Sequence, residues 1–166
     1  MARTRETDAH VAVRAVYDAH YGRLAGWAKG LLGDPDIAHD LATEAFMRLV
    51  RDWDRVDEPK AWLYTVTGNL IRDHWRKRGR EAAAYARHEA GSDRDVVSDP
   101  DTATTITVRD AIQSLPDRLR LPVMLYYYAD LPVGSVAHQL GKSDGTIKRD
   151  LFEARKRLAV LLEGAR

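Results

Sequence analysis

Apolar residues recur at helical spacing in three stretches of the first half of the chain. These stretches cover residues 11–32, 34–53 and 59–80, with short polar segments between them. The second stretch opens on Asp34-Pro35, which is a start signal because Asp caps free backbone amides and Pro fits the first helical turn. The pattern predicts three helices, each with one buried face.

The buried faces follow from this spacing, because residues three or four positions apart lie on the same side of a helix. The residues expected in the core are Val13, Val16, Tyr17, Leu24, Trp27, Leu31, Leu32, Ile37, Leu41, Ala42, Ala45, Phe46, Leu49, Val50, Trp53, Leu63, Val66, Thr67, Leu70, Ile71 and His74. These faces together predict a helical domain over residues 1–80.

The helical pattern weakens after residue 80 and returns near Thr105. Residues 81–104 contain runs of Gly, Ser, Asp and Pro, which are typical of a linker. Residues 81–105 hold six acidic residues against two basic ones, and acidic segments of this kind are often solvated. A flexible acidic linker is therefore predicted, although residues 82–86 can extend the preceding helix.

Helical spacing also fills the remainder of the chain, which predicts a second domain over residues 105–166. Its predicted helices run from Thr105 to Leu115, through residues 121–128, over residues 132–140 and over residues 144–162. No alternating strand pattern is present. The chain is thus predicted to be all-α, with two small helical domains joined by the linker.

Composition excludes several classes of protein. The 166 residues include no Cys, which leaves no disulfide framework, thiolate metal site or Cys nucleophile. The six His residues are scattered, and no Gly-rich phosphate loop is present. No apolar run is long enough to span a membrane, and the N-terminus lacks a signal-peptide core. We therefore expect a cytoplasmic protein that is not an enzyme, holds no metal or cofactor and does not insert into membranes.

The last two predicted helices have the spacing of a helix-turn-helix. Gly141 lies between them, where a turn favours the left-handed conformation that glycine adopts easily. Cations outside the buried stripe of the second of these helices would contact phosphates or base edges in the major groove. The alternative is a plain helical hairpin with a solvated basic face.

The third helix combines cations with aromatic residues. Arg72, Arg76 and Arg80 repeat every four residues, and Trp62 and Trp75 lie on the same helix. Cations follow phosphates, and aromatic rings stack on bases that have left a duplex. The pattern therefore suits separated DNA strands. The alternative is a basic helix end that complements the helix dipole, with both tryptophans in the core.

The chain resembles extracytoplasmic-function sigma factors over nearly its whole length. Residues 34–46 look like region 2.2, residues 59–78 are similar to regions 2.3 and 2.4, and residues 115–158 look like region 4. The resemblance implies that the protein attaches to core RNA polymerase and selects promoters. The implied partners are the clamp helices of the largest polymerase subunit, the flap of the second subunit, promoter DNA and an anti-sigma protein.

The resemblance also assigns three groups of site residues. The core-polymerase group is Asp40, Leu41, Glu44 and Phe46. The minus-10 group, which holds the unpaired strand together with the preceding loop 52–58, is Trp62, Asn69, Arg72, Asp73, Arg76 and Lys77. The minus-35 group, which reads duplex DNA, is Ser143, Thr146, Lys148, Arg149, Phe152, Arg155 and Lys156.

Several positions depart from the family pattern. Asp150 and Glu153 stand where Arg is usual. An acid beside phosphates costs affinity, but an acid can also accept a hydrogen bond from a cytosine amine, so two outcomes stay open: an unusual minus-35 sequence or weak minus-35 binding. Ser135 replaces a frequent Glu in the first helix of the helix-turn-helix. Two other interpretations stay open, namely a free-standing regulator that binds duplex DNA without polymerase, and a sigma-like module that binds polymerase but reads DNA poorly.

Overall fold

The computed structural model describes residues 1–89 and 107–164, and within them the chain forms seven α-helices and no strand. The helices are α1 (Ala2–Leu32), α2 (Pro35–Asp52), α3 (Pro59–Glu89), α4 (Val108–Ser114), α5 (Asp117–Val123), α6 (Val133–Leu140) and α7 (Asp144–Glu163). A short 3-10 turn, Trp53–Arg55, follows α2, and a π turn, Met124–Tyr128, follows α5. The prediction of an all-α fold is confirmed.

Helices α1, α2 and α3 pack against one another and form the first domain. Leu24, Leu49, Leu63 and Ile71 are fully buried where the three helices meet. The predicted start of α2 is observed in atomic detail, because an Asp34 side-chain oxygen accepts hydrogen bonds from the amides of Asp36 and Ile37 at 2.9 and 3.2 Å. This cap satisfies backbone donors that have no partner within the helix.

Three details of the first domain differ from the sequence prediction. Helix α1 begins at Ala2 rather than near residue 11, because no Gly or Pro interrupts the polar segment before it. Helix α3 continues to Glu89, so residues 81–89 of the predicted linker are helical. The alanines in that segment have high helix propensity, which favours this extension. Two residues predicted in the core are exposed: Tyr17 at 41%, and Val50 at 53% because it lies just beyond the face that buries Phe46 and Leu49.

The second domain contains α4 to α7. Helix α4 begins with a reciprocal capping box between Thr107 and Asp110. Pro122 lies inside α5 and has no amide hydrogen, and the chain then widens into the π turn, where the Ala129 amide donates to the Met124 carbonyl at 3.1 Å. The predicted linker residues 90–104 and the predicted helix start at Thr105 lie outside the described residues.

The two domains pack against each other along α3. This helix contacts α5, the π turn and α6, and α1 contacts α4. Gly68 allows the closest approach, since a Cβ atom added there would lie 2.6 Å from a terminal methyl of Leu121. The buried apolar residues of both domains therefore form one continuous core. None of the helices in the described part of the chain is long and apolar enough to cross a bilayer.

Replacing the Asp34 cap should destabilise the first domain selectively. We expect Asp34→Ala to lower the free energy of unfolding by about 1 kcal/mol, because two amides lose their acceptor. All four Trp residues lie in the first domain, so denaturant unfolding followed by Trp fluorescence reports on that domain. Asp34→Ser, which keeps a capping oxygen, should stay close to the wild type. An unchanged midpoint for Asp34→Ala would contradict this role.

Candidate nucleic-acid interface

Helix α7 presents an exposed cationic surface. Lys148, Arg149 and Arg155 are exposed and form no ion pair with any described residue. Phe152 lies between them and is 54% exposed, with the Lys156 ammonium 5.0 Å from its ring centroid. Five residues of the predicted minus-35 group thus share one solvent-facing surface that can meet phosphates and base edges.

The start of α7 is fixed by its turn and its cap. Gly141 ends α6 in the left-handed conformation, with φ 63°, so the predicted role of this glycine is confirmed. The Ser143 hydroxyl accepts a hydrogen bond from the Thr146 amide at 3.1 Å and lies 2.9 Å from the Thr146 hydroxyl. Ser143 and Thr146, both in the predicted minus-35 group, therefore hold the first turn of α7 in place.

Asp150 and Glu153 lie on the opposite side of α7, towards α5. Asp150 is only 4% exposed, and its two carboxylate oxygens accept from Arg118 at 3.0 Å and from Lys142 at 3.2 Å. Arg118 donates a further hydrogen bond to Glu153, which also accepts two from Arg157 at 3.1 and 3.2 Å. The hydrogen bonds from Arg118 and Arg157 hold the pKa of Glu153 below its ordinary value.

This ion cluster gives both acids cationic partners inside the second domain. The carboxylates of Asp150 and Glu153 are neutralised within the second domain, where they attach α7 to Arg118 of α5. Arg118 was not among the predicted site residues, because its partners lie 32 and 35 positions away in sequence. The acids therefore position α7 and leave its exposed surface cationic.

The predicted minus-10 group lies along α3. Its exposed members are Asn69, Asp73, Arg76 and Lys77, and its half-buried members are Trp62 and Arg72. Trp62 packs against the apolar core, as does Trp75 further along α3. The helix thus offers one amide, one carboxylate and several cations on a single surface, with aromatic rings at its inner edge.

Two arginines of this group converge on one carboxylate of the second domain. Arg72 donates to Asp117 through two nitrogens, at 2.7 and 3.3 Å, and donates to Asn69 through a third at 3.1 Å. Arg76 donates to the same Asp117 and also to Asp73 at 3.2 Å. We call Asp117 with Arg72 and Arg76 the Asp117 bridge. Burial raises the pKa of Asp117, but hydrogen bonds and charge from both arginines outweigh burial and lower it overall.

The predicted core-polymerase group lies on α2. Asp40 is exposed, and Leu41 and Glu44 are half-buried, with Glu44 accepting from Arg48 at 2.8 Å. Phe46 is 6% exposed and packs against Tyr17 and Tyr21 of α1, so it supports the helix from beneath. The exposed residues Met47 and Val50, which the sequence interpretation missed, line an apolar groove of about 750 Å³ between α1 and α2.

Comparison with known proteins decides the family. The Sigma-70 region 2 family model matches residues 16–81, and the Sigma-70 region 4 model matches residues 106–158. The ECF RNA polymerase sigma factor EcfG of Rhodopseudomonas palustris is 30% identical, over 84% of this chain and 78% of that protein. The chain belongs to the extracytoplasmic-function sigma factors. SigL of Mycobacterium tuberculosis is also similar to this sigma factor, at 28% identity over 91% of this chain and 89% of SigL.

A solved structure supports the same assignment. The sigma factor RpoE of Bartonella quintana, crystallised with the anti-sigma factor NepR, aligns over 92% of this chain and 98% of its own, with a TM-score of 0.61 and 26% identity. In this sigma factor α2 and most of α3 belong to region 2, and α4 to α7 belong to region 4. No group of three metal-ligating side chains comes together among residues 1–89 and 107–164.

Neutralising Asp150 should loosen the recognition helix. Asp150→Asn removes the charge that pairs with Arg118 and Lys142, and we expect α7 to lose about 1–3 kcal/mol of protection in amide hydrogen exchange. Glu163→Gln, which changes an exposed acid at the end of the same helix, is the matched control and should leave protection unchanged. Unchanged protection together with tighter duplex binding would mean that the Asp150 carboxylate faces phosphate.

Proposed function

We propose that this sigma factor attaches to core RNA polymerase through α2 and holds the two promoter elements with α3 and α7. The observation that carries the proposal is the presence of two separate cationic surfaces, one in region 2 and one in region 4. The side chains on α3 suit an unpaired strand, and those on α7 suit duplex DNA. The chain contributes binding and positioning, while core polymerase performs the bond chemistry in the cytoplasm.

The region 2 surface suits capture of the unpaired minus-10 strand. Arg72 and Arg76 lie one helical turn apart on α3 and present planar guanidinium groups, which bind phosphate through two donors at once. Asn69 lies beside Arg72 and offers an amide that can recognise the edge of an unstacked base. Trp62 is half-buried near the start of α3, next to the loop that is proposed to share in strand capture.

The region 4 surface suits duplex DNA in the major groove. The unpaired cations Lys148, Arg149 and Arg155 on α7 can reach phosphates and guanine edges, while Phe152 can contact a thymine methyl group. The turn at Gly141 fixes the angle between α6 and α7, as a helix-turn-helix requires. The ion cluster around Arg118 keeps α7 in that position.

The α2 face is the proposed contact with the clamp helices of the largest polymerase subunit. Asp40, Leu41 and Glu44 lie on this face, and the exposed Met47 beside them adds apolar area that a protein partner would bury. We extend the proposal to a contact between region 4 and the flap of the second subunit, and to inhibition by an anti-sigma protein. The anti-sigma proposal is supported by the similarity to RpoE, which was crystallised with NepR.

Run-off transcription with bacterial core polymerase tests the strand-capture surface. On a promoter obtained by genomic selection, we expect Asn69→Ala to reduce specific initiation by about tenfold, since removing one base or phosphate contact costs about 1–3 kcal/mol. Binding to core polymerase, measured in parallel, should persist because Asn69 lies outside α2. Arg5→Ala, an exposed substitution in the first turn of α1, should initiate normally.

Three other outcomes of this experiment would revise the proposal. Normal initiation by Asn69→Ala would remove this residue from strand capture. Core binding without initiation on any promoter would favour a sigma-like module that reads DNA poorly. Duplex binding without affinity for core polymerase would favour a free-standing regulator.

A comparison of two arginine variants of α7 distinguishes an effect on duplex binding from an effect on helix stability. Arg155 is exposed and unpaired, whereas Arg157 donates to Glu153 at 3.1 and 3.2 Å. We expect Arg155→Ala to weaken binding to a minus-35 duplex and to reduce the slope of log affinity against log salt by about one unit, as the loss of one phosphate contact does. Arg157→Ala, the matched control, should keep the wild-type slope. Equal slopes for all three proteins would place the DNA on another surface.

A further inference from the structure

Region 4 packs against the part of region 2 that is proposed to hold the promoter strand. Its α5 and α6 pack on α3, and the Asp117 bridge engages both arginines of the minus-10 group. We propose that this sigma factor inhibits itself, with Asp117 of region 4 occupying the phosphate-binding arginines of region 2 until the domains separate. This inference rests on the proposed function of α3 and adds a regulation of that site within the chain itself.

The chemistry of the bridge is that of a phosphate contact. A carboxylate presents two anionic oxygens to a guanidinium group with nearly the geometry that a phosphate presents. Arg72 has two nitrogens on Asp117 and a third on Asn69, and its side chain is only 14% exposed. A DNA phosphate can therefore reach Arg72 only by displacing Asp117.

Region 4 also contacts the loop before α3. The Ser135 hydroxyl of α6 donates to the Glu58 carboxylate at 3.2 Å, and His138 lies 4.0 Å from Asp57. Between these contacts and the bridge, Leu121 fills the space above Gly68. Region 4 thus contacts both parts of the proposed strand-capture site, namely the loop and the cationic surface of α3, and encloses Arg72.

Region 4 packs against the proposed DNA-binding surface of α3 and leaves that of α7 exposed. Lys148, Arg149 and Arg155 stay exposed while Arg72 is enclosed. The closed chain can therefore meet duplex DNA through α7 while Asp117 occupies the arginines of α3 that would bind the phosphates of an unpaired strand. When the domains separate on DNA, a phosphate replaces the Asp117 carboxylate on Arg72 and Arg76. Neither guanidinium group is therefore left without an anionic partner.

The experiment measures the distance between the domains and the affinity for single strands in one set of proteins. The chain has no Cys, so Ala15→Cys on α1 and Ala159→Cys on α7, both exposed, accept a donor and an acceptor dye for energy transfer. Asp117→Asn removes the bridging charge. Asp130→Asn removes an exposed charge from the same domain and is the matched control, since Asn tolerates the left-handed conformation observed there.

We expect high energy transfer in the wild type and in Asp130→Asn, and lower transfer in Asp117→Asn. With a mixed-sequence single-stranded DNA oligonucleotide as the probe, Asp117→Asn should bind about fivefold to tenfold more tightly than the wild type, as expected for the loss of two partly exposed ion pairs. Equal transfer and equal affinity in all three proteins would overturn the proposal.

A covalent closure provides the opposite test. Glu58→Cys with Ser135→Cys places one thiol on each side of the observed loop contact, and a short bis-maleimide cross-linker that contains a reducible disulfide should hold the domains closed. We expect the cross-linked protein to lose single-strand binding and to recover it on reduction of the linker, with duplex binding unchanged in both forms. Strong single-strand binding by the cross-linked protein would overturn the inhibition.

Failure of the inference and failure of the proposed function give different results. If Asp117→Asn does not change energy transfer but the wild type initiates transcription, the self-inhibition is wrong and the sigma function stands. If Asp117→Asn lowers energy transfer but no variant binds single strands, the contact between domains exists and α3 is not the strand-capture surface, which overturns the inhibition as well.

Discussion

A single helix, α3, has to satisfy two sets of neighbours, and this constraint organises the whole molecule. One side of α3 supplies Leu63 and Ile71 to the core of the first domain. Another side receives Leu121 above Gly68 and Asp117 at Arg72. Because both sides are occupied at this point of the helix, a partner that binds Arg72 must compete with region 4. The closed arrangement and the proposed strand capture therefore exclude each other.

Features that depend on neighbouring residues could be predicted from the sequence. The cap at Asp34, the left-handed turn at Gly141 and the buried stripe through Leu63 and Ile71 each follow from residues within one or two helical turns. The family pattern then gave a function to surfaces that composition alone left ambiguous. The exposed cationic face of α7 could also be predicted from the spacing of its apolar residues, because the buried positions of a helix determine which positions face solvent.

Features that depend on distant pairs could not be predicted in this way. Asp150 carries a charge that suggests a surface position, yet it is buried because Arg118 and Lys142 supply two cations. Asp117 looks like an ordinary first-turn acid of α5, and its role depends on arginines more than 40 positions earlier. Helix ends are uncertain for another reason, because residues 81–89 have helix propensity but no buried face that marks them as part of α3.

The pairing of acids within the second domain also bears on how the molecule approaches DNA. A formal net charge of +1 suggests little attraction to a polyanion. However, Asp150 and Glu153 form ion pairs with Arg118 and other residues of the second domain, while the cations on the opposite face of α7 have no acidic partner among the described residues. Such a separation of charge acts as a dipole that rotates the molecule during diffusion. Encounters would begin with α7 turned towards the double helix, at a rate that falls as ionic strength rises.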